Sequence, residues 1–77
     1  MKEYTIQELR TKKGLTQKEV AEKAGITKDY ISLIERGERT PSDKTKNKLA
    51  EIYDVPVVQI FLAIQRTNST IKQSEVI

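Results

Sequence analysis

The chain has no cysteine and no histidine. Without cysteine, neither disulfides nor thiolate metal sites can hold the fold together. Without histidine, the commonest general base and the commonest metal ligand are missing together. The three glycines form no glycine-rich phosphate loop. These absences argue against an enzyme, and no cofactor and no metal is expected. No apolar run approaches the ~18–20 residues that span a bilayer. The opening Met1-Lys2-Glu3-Tyr4-Thr5 lacks the apolar core of a signal peptide. A cytoplasmic protein with no membrane partner is expected, and the lack of cysteine fits a reducing cytosol.

What is present is a short, basic chain. Its 77 residues make one small domain, of a size that buries only roughly 60% of its unfolded surface. Fourteen Lys and Arg stand against 11 Asp and Glu, for a net charge of +3 and a pI near 9.3. A pI above about 9 is consistent with a nucleic-acid partner. Acids and bases nevertheless interleave along most of the chain, and on charge alone a solvated mixed-charge surface is the better explanation.

Local signals divide the chain into five helices. Thr5 with Glu8, and Thr16 with Glu19, match the Thr-x-x-Glu capping box. Thr27 and Ser42 are further N-cap residues, and Pro56 suits the first turn of a last helix. Gly14, Gly25 and Gly37 supply helix stops, and Val55-Pro56 marks another, because the residue before proline avoids the α region. The helices are placed at about residues 5–13, 17–24, 28–36, 42–53 and 57–65. No period-two alternation calls for a sheet. Apolar residues at three- and four-residue spacing predict a core of Ile6, Leu9, Leu15, Val20, Ala21, Ala24, Ile26, Ile31, Ile34, Leu49, Ile52, Tyr53, Val57, Ile60 and Phe61. The domain is assigned to residues 1–65. Residues 66–77 lose the apolar pattern and are expected to form a polar, mobile C-terminal tail.

Residues 17–36 hold two helices joined by about three residues, a tight turn that sets helices at roughly 90–120°. Ala21 lies at the close crossing, and Gly25 supplies the positive φ that ends the first helix of the pair. At about 100° per residue, Ile31 and Ile34 point one way, and Asp29, Ser32, Leu33 and Arg36 the other. The outward face of the second helix is thus available to enter a DNA major groove.

Leu15-Thr16-Gln17, Ala21 with Gly25, Tyr30-Ile31-Ser32, Ile34-Glu35-Arg36-Gly37 and Pro41-Ser42 occur together and in order. Through them the chain resembles the Cro/repressor-type helix-turn-helix proteins of bacteria and phages, the XRE family, over roughly residues 4–63. The resemblance implies a compact all-α, five-helix, lambda-repressor-like domain. It implies that Gln17 contacts a DNA phosphate and buttresses the third helix, and that Lys28, Asp29 and Leu33 occupy base-reading positions. Thr27, Tyr30, Ser32 and Arg36 would approach backbone or bases, Lys44 would contact a phosphate, and Arg10 and Glu35 would form a partly buried ion pair. Lys46 and Val58 depart from the family pattern, where an apolar and an acidic residue are usual.

Each role has an alternative. Lys28 can donate to guanine O6 or N7, or only to phosphate. Asp29 can accept from cytosine N4, or simply favour the N-terminal end of its helix. Leu33 can touch a thymine methyl, or be a lone exposed apolar residue. Tyr30 can pack in the core while its hydroxyl reaches a phosphate. Lys12-Lys13 reads as solvated surface, and Glu35 as structural.

The resulting expectation is a sequence-specific double-stranded DNA-binding regulator, a repressor acting as a homodimer on a palindromic operator. Val58 and Leu62 on the fifth helix are the dimerisation candidates, against simple packing on the core. Two alternatives stay open: an antitoxin-type module that binds an unknown protein partner and autoregulates its operon, and a restriction-modification controller protein.

Overall fold

Four hydroxyl side chains start four of the five helices. The computed structural model describes residues 4–76, with side chains for residues 4–68. Its helices are α1 (Ile6–Lys12), α2 (Gln17–Ala24), α3 (Lys28–Glu35), α4 (Asp43–Tyr53) and α5 (Val57–Val76), with no strand among the described residues. Thr5 Oγ1 accepts from the Glu8 N–H at 3.2 Å while Glu8 Oε1 accepts from the Thr5 N–H at 2.8 Å. Thr16 and Glu19 repeat the arrangement at 3.1 and 2.8 Å. Thr27 caps α3 through the Tyr30 N–H at 3.1 Å, and Ser42 caps α4 through the Thr45 N–H at 3.2 Å. Each cap is worth about 1 kcal/mol. The two hydrogen bonds to Thr16, backbone first, also hold the Glu19 carboxyl below its ordinary pKa.

The first four helices end alike. Residues 14, 25, 37 and 54 all have positive φ, and the residue after each donates to a carbonyl five positions back. This is the Schellman arrangement, which satisfies carbonyls left over at a helix end. Leu15, Ile26 and Val55 then pack against the core as the residue following each turn. The α4 stop is therefore not Val55-Pro56 itself: Asp54, at φ 58° and ψ 49°, makes the turn one residue earlier. Aspartate tolerates the left-handed region better than most residues.

The buried core consists of Ile6 and Leu9 of α1, Val20 and Ala21 of α2, and Ile31 and Ile34 of α3. Leu49, Ala50 and Tyr53 come from α4, and Ile60, Ala63 and Ile64 from α5. α2 packs on α3 and α4, and α5 packs on α4 and α1. Two expected core residues are corrected. Val57 and Phe61 are 47% and 48% exposed. The inward stripe of α5 is Ile60, Ala63, Ile64 and Thr67, spaced i, i+3, i+4, i+7, which turns Val57 and Phe61 away. The expected end of α5 at residue 65 is also corrected, since the helix runs on to Val76. Thr67 is buried; its Oγ1 accepts from the Ile6 N–H at 3.3 Å and donates to the Ala63 carbonyl at 2.9 Å. Residues 66–76 contain neither proline nor glycine, so a helix already nucleated gains one bond per added residue. The polar-tail expectation for side chains from residue 69 lies outside the described residues. Lys46 does not disturb the register of α4. Its ammonium sits 3.6 Å from Asp43 Oδ1 and 5.6 Å from the Phe61 ring centre, with its stem laid along apolar surface.

Candidate nucleic-acid interface

α2 and α3 meet across Gly25, Ile26 and Thr27. Gly25, at φ 72°, reverses the chain, Ile26 packs against the core while partly buried, and Thr27 starts α3. Burial of Ile31 and Ile34 fixes the rotation of α3. Lys28, Asp29 and Arg36 are exposed, as is Thr27 at the cap, whereas Tyr30, Ser32 and Leu33 are half-buried. Leu33 is thus less outward than helical spacing alone implied. Its carbonyl accepts from the Glu38 and Arg39 N–H groups at 2.9 and 3.3 Å. Tyr30 packs against the core and carries the Arg39 guanidinium 5.8 Å from its ring centre. Arg36 pairs with Glu38 at 2.9 Å, with both side chains more than half exposed.

Lys44 is exposed on the first turn of α4. Together with Lys48 it flanks an open cavity of about 390 Å³ whose other walls are Ala24, Gly25, Ile26 and Thr45. Lys48 and Arg39 did not stand out in the sequence. The signals were there: Lys48 lies one helical turn after Lys44, and Arg39 follows the Gly37 reversal.

Beneath this surface lies a charged network. Glu35 accepts from Arg10 twice, Nε to Oε2 at 2.6 Å and Nη2 to Oε1 at 3.2 Å. Arg10 Nη1 donates to the Leu15 carbonyl at 2.8 Å, and Gln17 Nε2 donates to Glu35 Oε1 at 3.0 Å. The Arg10 and Glu35 side chains are only 12% and 4% exposed. The hydrogen bond to Glu35 is the main reason that Arg10 is held charged even more firmly than usual. The fork geometry of guanidinium on carboxylate is the strong form of such a pair. It ties α1 to α3, and through Leu15 and Gln17 to the start of α2.

These features meet in a helix pair with a tight turn, an outward second helix and lysines beside it. Residues 6–60 match the helix-turn-helix family model HTH_3. The chain belongs to this helix-turn-helix family of DNA-binding transcriptional regulators. It is 33% identical over 57 residues to an HTH-type transcriptional regulator of Archaeoglobus fulgidus, covering 74% of this chain and 81% of that one. It is 39% identical over 59 residues to the HTH-type transcriptional regulator y4dJ of Sinorhizobium fredii, covering 77% of each. The cryptic phage CTXphi transcriptional repressor RstR of Vibrio cholerae is 36% identical over 55 residues, 71% of this chain and 50% of RstR. The fold is the all-α, lambda-repressor-like arrangement. No helix is long and apolar enough to cross a membrane, and no group of acidic side chains is placed to hold a metal, among the described residues.

Proposed function

We propose that the chain is a repressor that binds a palindromic operator in double-stranded DNA as a homodimer. The observation that carries this reading is the exposed side of α3, where Lys28, Asp29 and Arg36 stand outward on a helix held by buried Ile31 and Ile34. A helix of this width fits the major groove, where Lys28 would donate to guanine and Asp29 would accept from cytosine. Leu33 would meet a thymine methyl, and Thr27, Tyr30, Ser32 and Arg36 would approach the backbone or the neighbouring bases. Gln17 and Lys44 would fix the register on phosphates, contacts that position without reading sequence. Repression follows the similarity to RstR, and the cytoplasm is where such a protein meets its DNA. The apolar stripe Val57, Val58, Phe61 and Leu62 on α5 supports self-association. A two-fold pair would place its two α3 helices on half-sites about 34 Å apart.

Selection from a random duplex library, followed by a salt titration, tests the reading. The expected result is a palindromic consensus and an affinity that falls with salt but stays above that for scrambled duplex. Uniform binding to all duplexes, with only the salt-dependent phosphate contribution, would count against sequence-specific repression. The same α5 stripe also suits a different protein partner. An antitoxin-type role would show as a monomer in isolation that becomes tightly associated only with that partner.

A further inference from the structure

Arg36 and Glu38 meet at the exposed end of α3. Arg36 Nε lies 2.9 Å from Glu38 Oε2, and both side chains are more than half exposed. The backbone fixes each of them. Arg36 closes α3 in the helical region, at φ −85° and ψ −2°, and its N–H still donates to the Ser32 carbonyl at 3.0 Å. It therefore continues the outward stripe of Asp29 and Ser32, at spacing i, i+3, i+7. Gly37, at φ 77°, then turns the chain, and the Glu38 N–H donates to the Leu33 carbonyl at 2.9 Å. The ion pair thus sets a carboxylate beside the last cation of the face that α3 offers to a groove.

An exposed pair of this kind adds little to folding stability. On a surface that meets DNA it has a different consequence. The Glu38 carboxylate repels a phosphate and offsets the Arg36 charge that would attract one; like charges set face to face suppress the wrong contact. A guanine edge presents neutral acceptors, O6 and N7, and escapes that repulsion. The contact to Glu38 is made through Nε, the inner nitrogen of the guanidinium. The outer pair, Nη1 and Nη2, is the fork that matches O6 and N7. We propose that Arg36 reads a guanine at the C-terminal end of α3, and that Glu38 is its positioning residue, holding the guanidinium for the base edge and away from phosphate. The inference deepens the reading of α3 as the groove helix and rests on it.

The test repeats the random-duplex selection with the full-length wild type, Arg36→Ala and Glu38→Gln, and measures each affinity against salt. Arg36→Ala should weaken binding to the wild-type consensus about tenfold and relax the preference at one guanine of each half-site. Glu38→Gln should relax the preference at that same guanine by up to about fivefold, the limit for an exposed pair. It should also tighten binding to scrambled duplex and raise the salt slope by about one, as Arg36 is released to a phosphate. Its unfolding midpoint should match the wild type. A loss of stability with a loss of preference at every position would make Glu38 merely structural and overturn the proposal. Arg36→Ala weakening all duplexes alike, or Glu38→Gln leaving both base preference and salt slope unchanged, would overturn it as well. In either case a wild-type consensus would leave the repressor reading standing. If the wild type selects no duplex at all, the repressor reading falls, and this proposal with it.

Discussion

The Tyr53 side chain is buried, yet its hydroxyl has no hydrogen-bond partner among the described residues. Burial pushes its ionisation well above the ordinary tyrosine value of 10.0, and the charge on Glu35 adds to this, while Arg10 opposes it. A raised pKa in the folded state makes the sign definite. The neutral phenol is favoured by folding, so its contribution is intact below about pH 10 and is lost as pH rises from there toward the folded value. Tyr53→Phe should therefore flatten the loss of stability above about pH 10, measured by urea unfolding at several pH values. At pH 7 the variant should be at least as stable as the wild type, because a buried unsatisfied hydroxyl costs about 1–3 kcal/mol. A marked loss at pH 7 would show that the hydroxyl does have a partner. Lys44 supports a different residue-scale expectation. It is exposed, and among the described residues no ion pair at Lys44 accompanies those of Lys13, Arg36 and Lys46. As a phosphate contact, Lys44→Ala should lower affinity for all duplexes alike and reduce the salt slope by about one. A change confined to one base position would contradict that role.

Helix ends illustrate how far a local signal reaches. Gly25 and Asp54 occupy equivalent left-handed positions, at φ 72° and 58°. A Cβ added at Gly25 meets nothing within 4 Å, so the cost of Gly25→Ala is backbone strain alone, about 1–2 kcal/mol. Asp54→Gly should relieve strain of the same kind and raise stability by up to about 1 kcal/mol. Its 3.9 Å pair with Lys13 is exposed and offsets little of this. Thermal unfolding of both variants checks the pair of signs. The glycine stop was legible in the sequence because glycine is the cheapest residue at that φ. The aspartate stop was not, since aspartate occurs in many other settings. The helix starts were legible for a similar reason, because each cap closes within three residues. The face of α5 was legible only in part: Ile60 was placed inward and Val58 and Leu62 outward, as they are, but Val57 and Phe61 were placed in the core. Residues 57–64 are apolar except for Gln59, so no break in the pattern tells outward Val57 and Phe61 from inward Ile60 and Ile64. Only packing against α1 and α4 makes that choice. That Gln17 braces α3 came only from the family resemblance; that its partner there is Glu35, 18 positions away, depends on how α2 crosses α3.

At the scale of the whole molecule, the exposed large apolar side chains among the described residues gather on the outward side of α5. Val57, Val58, Phe61 and Leu62 are 47%, 59%, 48% and 48% exposed, at spacing i, i+1, i+4, i+5. Asp43, Lys46 and Asn47 border the same face, around an open cavity of about 460 Å³ that Val57, Val58 and Phe61 also line. An apolar strip with a polar border is the anatomy of an interface, and a two-fold axis would let the strip cover itself. Val58→Glu with Leu62→Glu tests this without touching the core. Both side chains are exposed in the single chain, so each substitution should change folding stability by only about 0.5 kcal/mol. Across a two-fold axis, however, four carboxylates would be brought together. Sedimentation at tens of micromolar should show a dimer for the wild type and a monomer for the variant. Affinity for a palindromic duplex should fall by about 10²-fold, the gain that linking two sites supplies, while binding to a single half-site stays the same. A wild type that sediments as a monomer throughout, or a variant that keeps its affinity for the palindrome, would remove α5 from the recognition mechanism and leave its apolar face to another partner.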